Sequence, residues 1–339
     1  MTGTRSPMAP VDPALPHLAD ALTPETATAA IATAKHFAGA RVRVARAALL
    51  RHKPGRRAVI DYTLDFTWPD GGREEVAAIG KMRASRPPRT AFRLLRELWR
   101  HGFTRDSADG ISVPEPLGTV PALGLWLQRR VPGTLATVLL TTTAAAPLAR
   151  RIAEAAHKLH HAGVVPEKTH GPADELAILE RVLADVRDSR PERRVALDHL
   201  LVSCRRLVAT LDGTTTGIHR DFYADQIVVD GTRLHLLDFD LYCAGHAALD
   251  VGNFAGHLME QRLREPAHAP ALTCAHDALD AHYVRLAGDA SRHPLRVYTA
   301  LTLARHVYLS TVIPGRAATT GVVLDQTLTC MEALLDGRA

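Results

Sequence analysis

Two short apolar runs around an Asp-Gly turn place two aspartates at fixed points late in the chain. The first run begins at Ile227, the turn contains Asp230-Gly231, and the second run ends at Leu237. Asp-Gly between apolar runs is a strong signal for a β-hairpin with a tight turn. Because a hairpin begins and ends at the same edge, Asp221 before it and Asp238 after it are predicted to lie close together.

The residues around this hairpin form an ordered set that suits phosphoryl transfer. His219-Arg220-Asp221 comes first, Gln226 follows, and Asp238-Phe239-Asp240 comes after the second apolar run. Kinases use one aspartate to position the attacking hydroxyl and another to hold Mg²⁺ on the nucleotide phosphates. We therefore predict Asp221 as the catalytic base or hydroxyl-orienting carboxylate, and Asp238 as a Mg²⁺ ligand.

In order and spacing, these motifs resemble the aminoglycoside phosphotransferase-like branch of the protein-kinase-like fold, over roughly residues 20–335. Asp250, within Gly245–Asn253, is similar to the family's structural aspartate, which opens a helix and bonds the catalytic-loop backbone. The resemblance implies an α+β, two-lobed fold with a small antiparallel-sheet N-lobe and a mostly helical C-lobe. It also implies a kinase that uses ATP or GTP with Mg²⁺ and has an alcohol group as acceptor.

The sequence departs from the family at Gln226, where the family usually has an asparagine that binds Mg²⁺. Glutamine offers the same amide oxygen on an arm about 1.5 Å longer. Since Mg²⁺ requires tight octahedral geometry, the backbone must sit back or a water must intervene. Asp240 has two open interpretations, a place beside a second metal ion or a bond to loop backbone. Gln226 also supports the alternative of a nucleotide-binding pseudokinase that acts as a regulatory partner.

The N-terminal part of the chain supplies the predicted strands. From Ala58 to Trp68, apolar residues alternate with polar ones, which is the period of a strand with one buried face. Pro69–Gly72 turns the chain into a strand over Val76–Met82. Further strands are predicted around Gly118 and at Leu125–Gln128, which together give a small antiparallel sheet.

The resemblance assigns nucleotide contacts to this N-lobe. Lys81 matches the lysine that binds the α- and β-phosphates, and Glu97, on a helix predicted over Ala91–Trp99, matches its glutamate partner. An exposed strand lysine and a surface glutamate are the alternative. Gly55 and Arg56 lie in a loop whose N–H groups and basic side chain would bind phosphate, unless it is a solvent-exposed turn. The hinge that bonds adenine through its main chain is matched by Gln128, Arg129 and Val131.

Composition divides the chain into a tail and two lobes. Residues 1–19 are rich in Pro, Ala and Thr and predict a mobile tail. Residues 20–130 form the predicted nucleotide-binding N-lobe, which opens with a helix from Thr23 to about Phe37. Residues 131–339 form the predicted C-lobe, with the catalytic loop and the acceptor site.

Composition also argues against several classes of protein. Four scattered cysteines without metal-ligand spacing are typical of reduced thiols, so we predict a cytoplasmic location. The net charge is +5, but the arginines stand beside acidic residues without a basic run, so no nucleic-acid partner is predicted. The uncharged stretch Val131–Ala149 contains two prolines, a glycine and five threonines, so no membrane association is predicted either.

The acceptor is predicted to be a small molecule. Only about a dozen residues separate Asp238 from Asp250, too few for the activation loop of a regulated protein kinase. An antibiotic, a sugar or an amino alcohol would fit, and a Ser or Thr of a biosynthetic precursor peptide is the alternative.

A polycationic aminoglycoside is disfavoured, because such a ligand needs several carboxylates around it. From Val251 to Ala339, eight arginines and no lysine stand against eight acidic residues, and six histidines could add positive charge at lower pH. Apolar stretches around Phe254, Tyr283 and Tyr298–Tyr308 favour a less charged acceptor.

Overall fold

The computed structural model describes residues 11–33, 37, 39–84 and 88–338. The chain divides into two compact units, Met1–Pro132 and Gly133–Ala339. The division lies two residues after the lobe boundary predicted from the sequence. Within the described residues, no helix is both long and apolar enough to cross a membrane.

The first unit is built on an antiparallel sheet. Its strands are β1 (Arg41–Lys53), β2 (Arg57–Thr67), β3 (Arg73–Arg83), β4 (Ile111–Ser112), β5 (Pro116–Val120) and β6 (Leu125–Arg129). Five of them form one sheet in the order β1-β2-β3-β6-β5. The helices are α1 (Leu18–Leu22), α2 (Pro24–Ala32) and α3 (Pro88–Arg100). The predicted strands are therefore present. Helix α2 ends at Ala32, earlier than predicted, and residues 34–36 lie outside the described part.

The alternation seen in the sequence of β2 becomes the buried face of this sheet. Ile60, Tyr62 and Leu64 are each 0% exposed. The Tyr62 hydroxyl donates a 2.6 Å hydrogen bond to the Ala21 carbonyl of α1, so even the polar end of this ring is satisfied. Fully burying an aliphatic side chain of this size contributes about 1.5–3 kcal/mol. The period-two pattern thus fixes which face of the sheet receives the helices.

The segment from residue 11 is packed rather than mobile, in contrast to the tail predicted over residues 1–19. Leu15 and Leu18 are 3% and 1% exposed, and both belong to the core that covers the sheet. Burying two leucines outweighs the loop-like composition of the segment, since each contributes about 2 kcal/mol. Residues 1–10 lie outside the described residues.

The second unit is mostly helical. Its helices are α4 (Ala136–Leu139), α5 (Ala145–His160), α6 (Pro172–Ser189), α7 (Arg194–Val208), α8 (Ala248–Arg264), α9 (Ala269–Ala287), α10 (Arg292–Val312) and α11 (Thr320–Leu335). Its short strands are β7 (Thr134–Leu135), β8 (Thr169–His170), β9 (Thr216–Ile218), β10 (Ile227–Asp230), β11 (Arg233–Leu236) and β12 (Cys243–Gly245).

The predicted hairpin is formed by β10 and β11. Ile227 pairs with Leu236 and Asp230 with Arg233, which leaves a two-residue turn. Gly231 opens that turn with φ +57°, a conformation that glycine adopts without steric cost. The ends of the hairpin therefore meet at one edge, as the sequence predicted.

Helices α8 and α10 approach each other closely because α8 presents glycines to α10. A Cβ at Gly252 would lie 2.5 Å from the Tyr298 Cβ, and one at Gly256 would lie 2.6 Å from the Thr302 Cβ. Such distances are shorter than any ordinary van der Waals contact, so larger residues would push the helices apart. This tight pair forms much of the wall beside the catalytic loop.

Candidate active site

Asp221 lies half-buried in the loop between β9 and β10. Its neighbour Phe222 is fully buried, and the Phe222 ring centroid lies 5.5 Å from that of Phe254 on α8. Asn253, also on α8, donates a hydrogen bond from Nδ2 to the Phe222 carbonyl at 3.0 Å. The loop that carries Asp221 is therefore anchored by both the ring and the carbonyl group of Phe222.

A buried carboxylate binds the backbone of this loop. Asp250, in the first turn of α8, is 0% exposed. Its Oδ2 accepts a hydrogen bond from the His219 backbone N–H at 2.8 Å, and its Oδ1 accepts one from the Arg220 N–H at 2.6 Å. The Nε2 atom of His160 lies 3.0 Å from Oδ2. The structural role predicted for Asp250 is confirmed by these bonds.

Hydrogen bonds also join the catalytic loop to the open end of the hairpin. His219 Nε2 lies 2.7 Å from the Leu237 carbonyl oxygen. The Leu237 N–H in turn donates to the Gln226 carbonyl at 2.8 Å. The segments that carry Asp221 and Asp238 are thus hydrogen-bonded to each other, although the whole hairpin separates them in the sequence.

Backbone strain is concentrated at this site. Arg220 and Asp238 have φ values of +70° and +56°, and they are the only non-glycine residues with positive φ in the described ranges. Such conformations cost about 1–3 kcal/mol each and are enriched at active sites, where surrounding contacts enforce them. The sequence alone gave no sign of this strain.

Oxygen donors for a metal ion flank the hairpin. Gln226 immediately precedes β10, while Asp238 and Asp240 follow β11, so the register places them at the same edge. An amide oxygen and carboxylates are donors that suit Mg²⁺. In the part of the chain that the structure describes, no three His, Cys, Asp or Glu side chains form a metal cluster. The amide and carboxylate oxygens suit an ion whose remaining ligands would be phosphate and water oxygens.

A cavity of about 410 Å³ lies beside Asp221 within the second unit. Tyr223 and Asp225 line it from the catalytic loop, and His257 lines it from α8. Burial raises the pKa of the Tyr223 phenol, and the charges of Asp221 and Asp225 raise it further. Phe254 lines the cavity as well, whereas Tyr283 and Tyr298 are core residues outside its lining.

The sequence predicted that histidines could add positive charge at lower pH. The pKa values of the two histidines that line this cavity do not support that prediction. Burial lowers the pKa of His306 to about 3, and nearby arginines lower it further. Burial also holds the pKa of His257 well below its usual value, with His306 and Arg305 adding to the effect. Both pKa shifts favour the neutral ring, because burial and the nearby arginines oppose a further cation.

Lys81 and Glu97 do not form the predicted ion pair. The Glu97 carboxylate binds Arg100 at 2.8 Å, one helical turn further along α3. The Lys81 Nζ lies over the Trp126 ring, 5.3 Å from its centroid. Helix α3 buries Leu98. Because successive residues are about 100° apart around a helix, the neighbouring Glu97 points away from that buried face.

The predicted phosphate loop already holds an anion from its own chain. The Gly55 N–H donates to Asp12 Oδ2 at 3.0 Å, and His52 Nε2 lies 2.8 Å from the same oxygen. These contacts, with His52 as the largest cause, lower the pKa of Asp12. Arg56, on the same turn, is exposed. The loop can therefore bind an oxyanion through its backbone, and Asp12 uses that capacity in this structure.

The predicted hinge begins with the last two residues of β6 and continues beyond it. Gln128 is 6% exposed and pairs with Ile79 of β3. The Arg129 guanidinium binds Glu115 at 2.7 Å and Glu74 at 3.2 Å. Since its side chain is held by two carboxylates, a nucleotide contact from Arg129 would be made by the main chain, as would one from Val131.

The comparison with known families identifies the chain. The model of the APH phosphotransferase enzyme family matches residues 70–294, about two thirds of the sequence. The chain belongs to this family. This match confirms the predicted family, the predicted two-part α+β kinase-like fold and the predicted phosphotransferase class. A search of curated proteins found no significant match.

Solved structures of this fold resemble the chain at low sequence identity. A choline/ethanolamine kinase family protein from Mesorhizobium loti is 17% identical, with 91% of this chain and 94% of that chain covered and a TM-score of 0.55. A thermostable mutant of an aminoglycoside phosphotransferase, in ternary complex with AMP-PNP and hygromycin B, is 15% identical, with coverage of 88% and 95% and a TM-score of 0.54.

A third structure is a glucosamine kinase in complex with glucosamine, ADP and inorganic phosphate. It is 16% identical, with 89% of this chain and 83% of that chain covered and a TM-score of 0.53. At these identities the likeness establishes the fold of this family member but does not distinguish an antibiotic from a sugar or an amino alcohol as its acceptor.

Proposed function

We propose that this phosphotransferase moves the γ-phosphoryl group of ATP or GTP to a hydroxyl of a small molecule, with Asp221 as the base. The observation that carries the proposal is the position of Asp221 in the wall of a 410 Å³ cavity that suits a small acceptor. A Ser or Thr of a precursor peptide remains the alternative acceptor, and Gln226 remains the one feature that supports a pseudokinase.

The reaction requires a defined movement of bonds and protons. The acceptor oxygen forms a bond to the γ-phosphorus while the bond from that phosphorus to the β–γ bridging oxygen breaks, which releases the nucleoside diphosphate. Asp221 orients the acceptor hydroxyl and accepts its proton. The hydrogen bonds that the backbone N–H groups of residues 219 and 220 donate to Asp250 hold this loop, so the carboxylate of Asp221 is positioned before the acceptor arrives.

Asp238 and Gln226 would hold Mg²⁺, with Asp240 as a further ligand or a loop contact. When bound, the ion neutralises charge on the β- and γ-phosphates. Lys81 and Glu97 remain proposed nucleotide contacts, as do Gly55, Arg56 and the hinge. For Gly55 the proposal now includes a condition, because its N–H must exchange the Asp12 carboxylate for a phosphate oxygen.

Binding of nucleotide tests the enzyme proposal directly. We expect ATP or GTP with Mg²⁺ to raise the melting temperature of the protein and to give heat in titration calorimetry, because ligands that bind only the native state stabilise it. EDTA should remove most of this effect. If neither nucleotide with Mg²⁺ changes the melting temperature or gives heat, the proposed activity is wrong.

The Gln226→Asn variant tests the departure from the family. We expect it to retain substantial activity or to gain some, because both side chains present an amide oxygen and the family commonly has asparagine here. Gln226→Ala, which removes that oxygen, is the matched comparison and should raise the Mg²⁺ concentration needed for half-maximal rate. A folded Gln226→Asn protein with no activity would show that Gln226 has a role other than that of the family asparagine.

A further inference from the structure

The cavity beside Asp221 continues from the catalytic loop to helix α10 along a row of rings. The Tyr223 ring stacks on His257, with centroids 4.6 Å apart and planes 16° apart. The His257 ring meets His306 edge-on, with centroids 4.5 Å apart. All three residues line the cavity together with Asp221. A molecule whose hydroxyl reaches Asp221 therefore has room to extend its other end toward His306.

His306 is a buried polar side chain without a hydrogen-bond partner among the described residues. It is 2% exposed, and neither ring nitrogen has a hydrogen-bond partner in the described part of the chain. The same holds for Nε of the adjacent Arg305, which also lines the cavity. Buried polar atoms are nearly always satisfied in native proteins, and exceptions are found at functional sites. These atoms therefore indicate a bound ligand group at this end of the cavity.

Three guanidinium groups lie at this end. Arg264, Arg305 and Arg316 all line the cavity, and their side chains are 25–29% exposed. Their carboxylate partners Glu260 and Glu175 are only 3% exposed, and Arg264 also binds Glu265, which is 30% exposed. The buried acids therefore fix the guanidinium groups, and Glu260 lines the cavity beside them.

Arg316 is the least committed of these cations. Its Nη1 lies 3.5 Å from Glu260 Oε1, a longer contact than the 3.1 Å bond that the same oxygen receives from Arg264 Nε. One buried carboxylate therefore serves two guanidinium groups and cannot saturate both. A bidentate anion would complete the hydrogen bonding of Arg316.

We propose that the acceptor is a small hydroxylated carboxylic acid, whose carboxylate binds Arg305, His306 and Arg316 while its hydroxyl lies at Asp221. The inference rests on the proposed phosphotransfer and specifies its substrate class. Guanidinium groups favour carboxylates because their paired donors match the two oxygens. A neutral imidazole adds one N–H donor to the same group.

A panel of acid and amide pairs tests this substrate class. We expect nucleotide consumption with glycerate and gluconate, and with N-acetylserine, to exceed that with glyceramide, gluconamide and N-acetylserinamide by at least about 10-fold, since each neutral analogue lacks the charge-assisted bonds. Kanamycin is the polycationic member of the panel. Equal rates for acids and their neutral partners would overturn the proposal, and so would preferential phosphorylation of kanamycin.

Binding can be measured without catalysis, which separates this inference from the proposed activity. We expect glycerate or gluconate, but not the neutral analogues, to shift the imidazole resonances of His306 in NMR spectra of the full chain, with His306→Gln used for assignment. If no acid at 20-fold excess over the protein and up to roughly 20 mM perturbs His306, the substrate class is wrong even if nucleotide and Mg²⁺ bind.

Arg316→Gln provides the matched variant. We expect it to raise KM for the preferred acid by about 10-fold or more, with a smaller effect on kcat and none on nucleotide binding. Arg262→Gln removes the same charge from α8 but lies outside the cavity lining, so it should leave KM unchanged. An equal rise in KM for both variants, or for the amide as well as the acid, would contradict a carboxylate subsite.

Discussion

The Asp221→Ala variant is expected to lose at least about 10²-fold in kcat while its nucleotide affinity changes little. General-base catalysis and hydroxyl orientation by one side chain are worth about 10²–10⁴-fold. The loop around Asp221 is held by Phe222, Asn253 and Asp250, so removing the carboxylate leaves the fold of the site in place. Rates of nucleoside diphosphate release and calorimetry with Mg²⁺-nucleotide would measure the two effects separately.

Asp238→Ala is the informative counterpart, because it should weaken Mg²⁺-nucleotide binding rather than turnover alone. Asp230→Ala removes a carboxylate from the exposed turn of the same hairpin and should behave as wild type. Near-wild-type turnover in both Asp221→Ala and Asp238→Ala would rule out the assigned roles. A loss of nucleotide binding in Asp221→Ala would move this residue from the acceptor to the nucleotide.

The second large effect is on stability. We expect Asp250→Ala to lower the free energy of unfolding by about 3–5 kcal/mol, the range found when a buried, hydrogen-bonded charge loses its partner. The substitution leaves the backbone N–H groups of His219 and Arg220 and the ring of His160 buried without their acceptor. Urea unfolding followed by circular dichroism would measure the change through the midpoint and slope.

Asp250→Asn is the matched control for shape. Its amide keeps one acceptor oxygen but turns an NH₂ group toward a donor, so we expect an intermediate loss. Asp289→Ala, at a side chain that is 91% exposed, should change stability by no more than about 0.5 kcal/mol. If Asp250→Ala unfolds at the wild-type urea concentration, the carboxylate does not stabilise the catalytic loop as its hydrogen bonds indicate.

Several parts of the fold could be predicted from local sequence because their causes are local. Alternating apolar residues over Ala58–Phe66 require a strand with one buried face, and β2 has that face. The Asp-Gly pair at residue 230 closes a two-residue turn, so the hairpin register followed. The order and spacing of Asp221, Gln226 and Asp238 predicted the family, because the hairpin sets how far Asp238 lies from the two residues before it.

Other features depend on residues that are distant in sequence, and no local pattern announces them. Asp12 binds the loop at Gly55, more than 40 residues away, because the leucines beside it pack into the core of the sheet. Lys81 lies over the Trp126 ring, 45 residues further along the chain, because β3 and β6 are neighbours in the sheet. The sequence could name these side chains but not their partners.

The sequence by itself determined the type of chemistry, and the tertiary structure decided the environment in which it occurs. Residue type and short-range spacing fix which groups can move a proton or hold a metal ion. The lowered pKa of His306 and the position of the arginines that line the cavity beside it depend on burial and on how closely α8 and α10 pack. Burial and electrostatic fields are sums over neighbours brought together by folding, so they are properties of the folded chain and not of any segment.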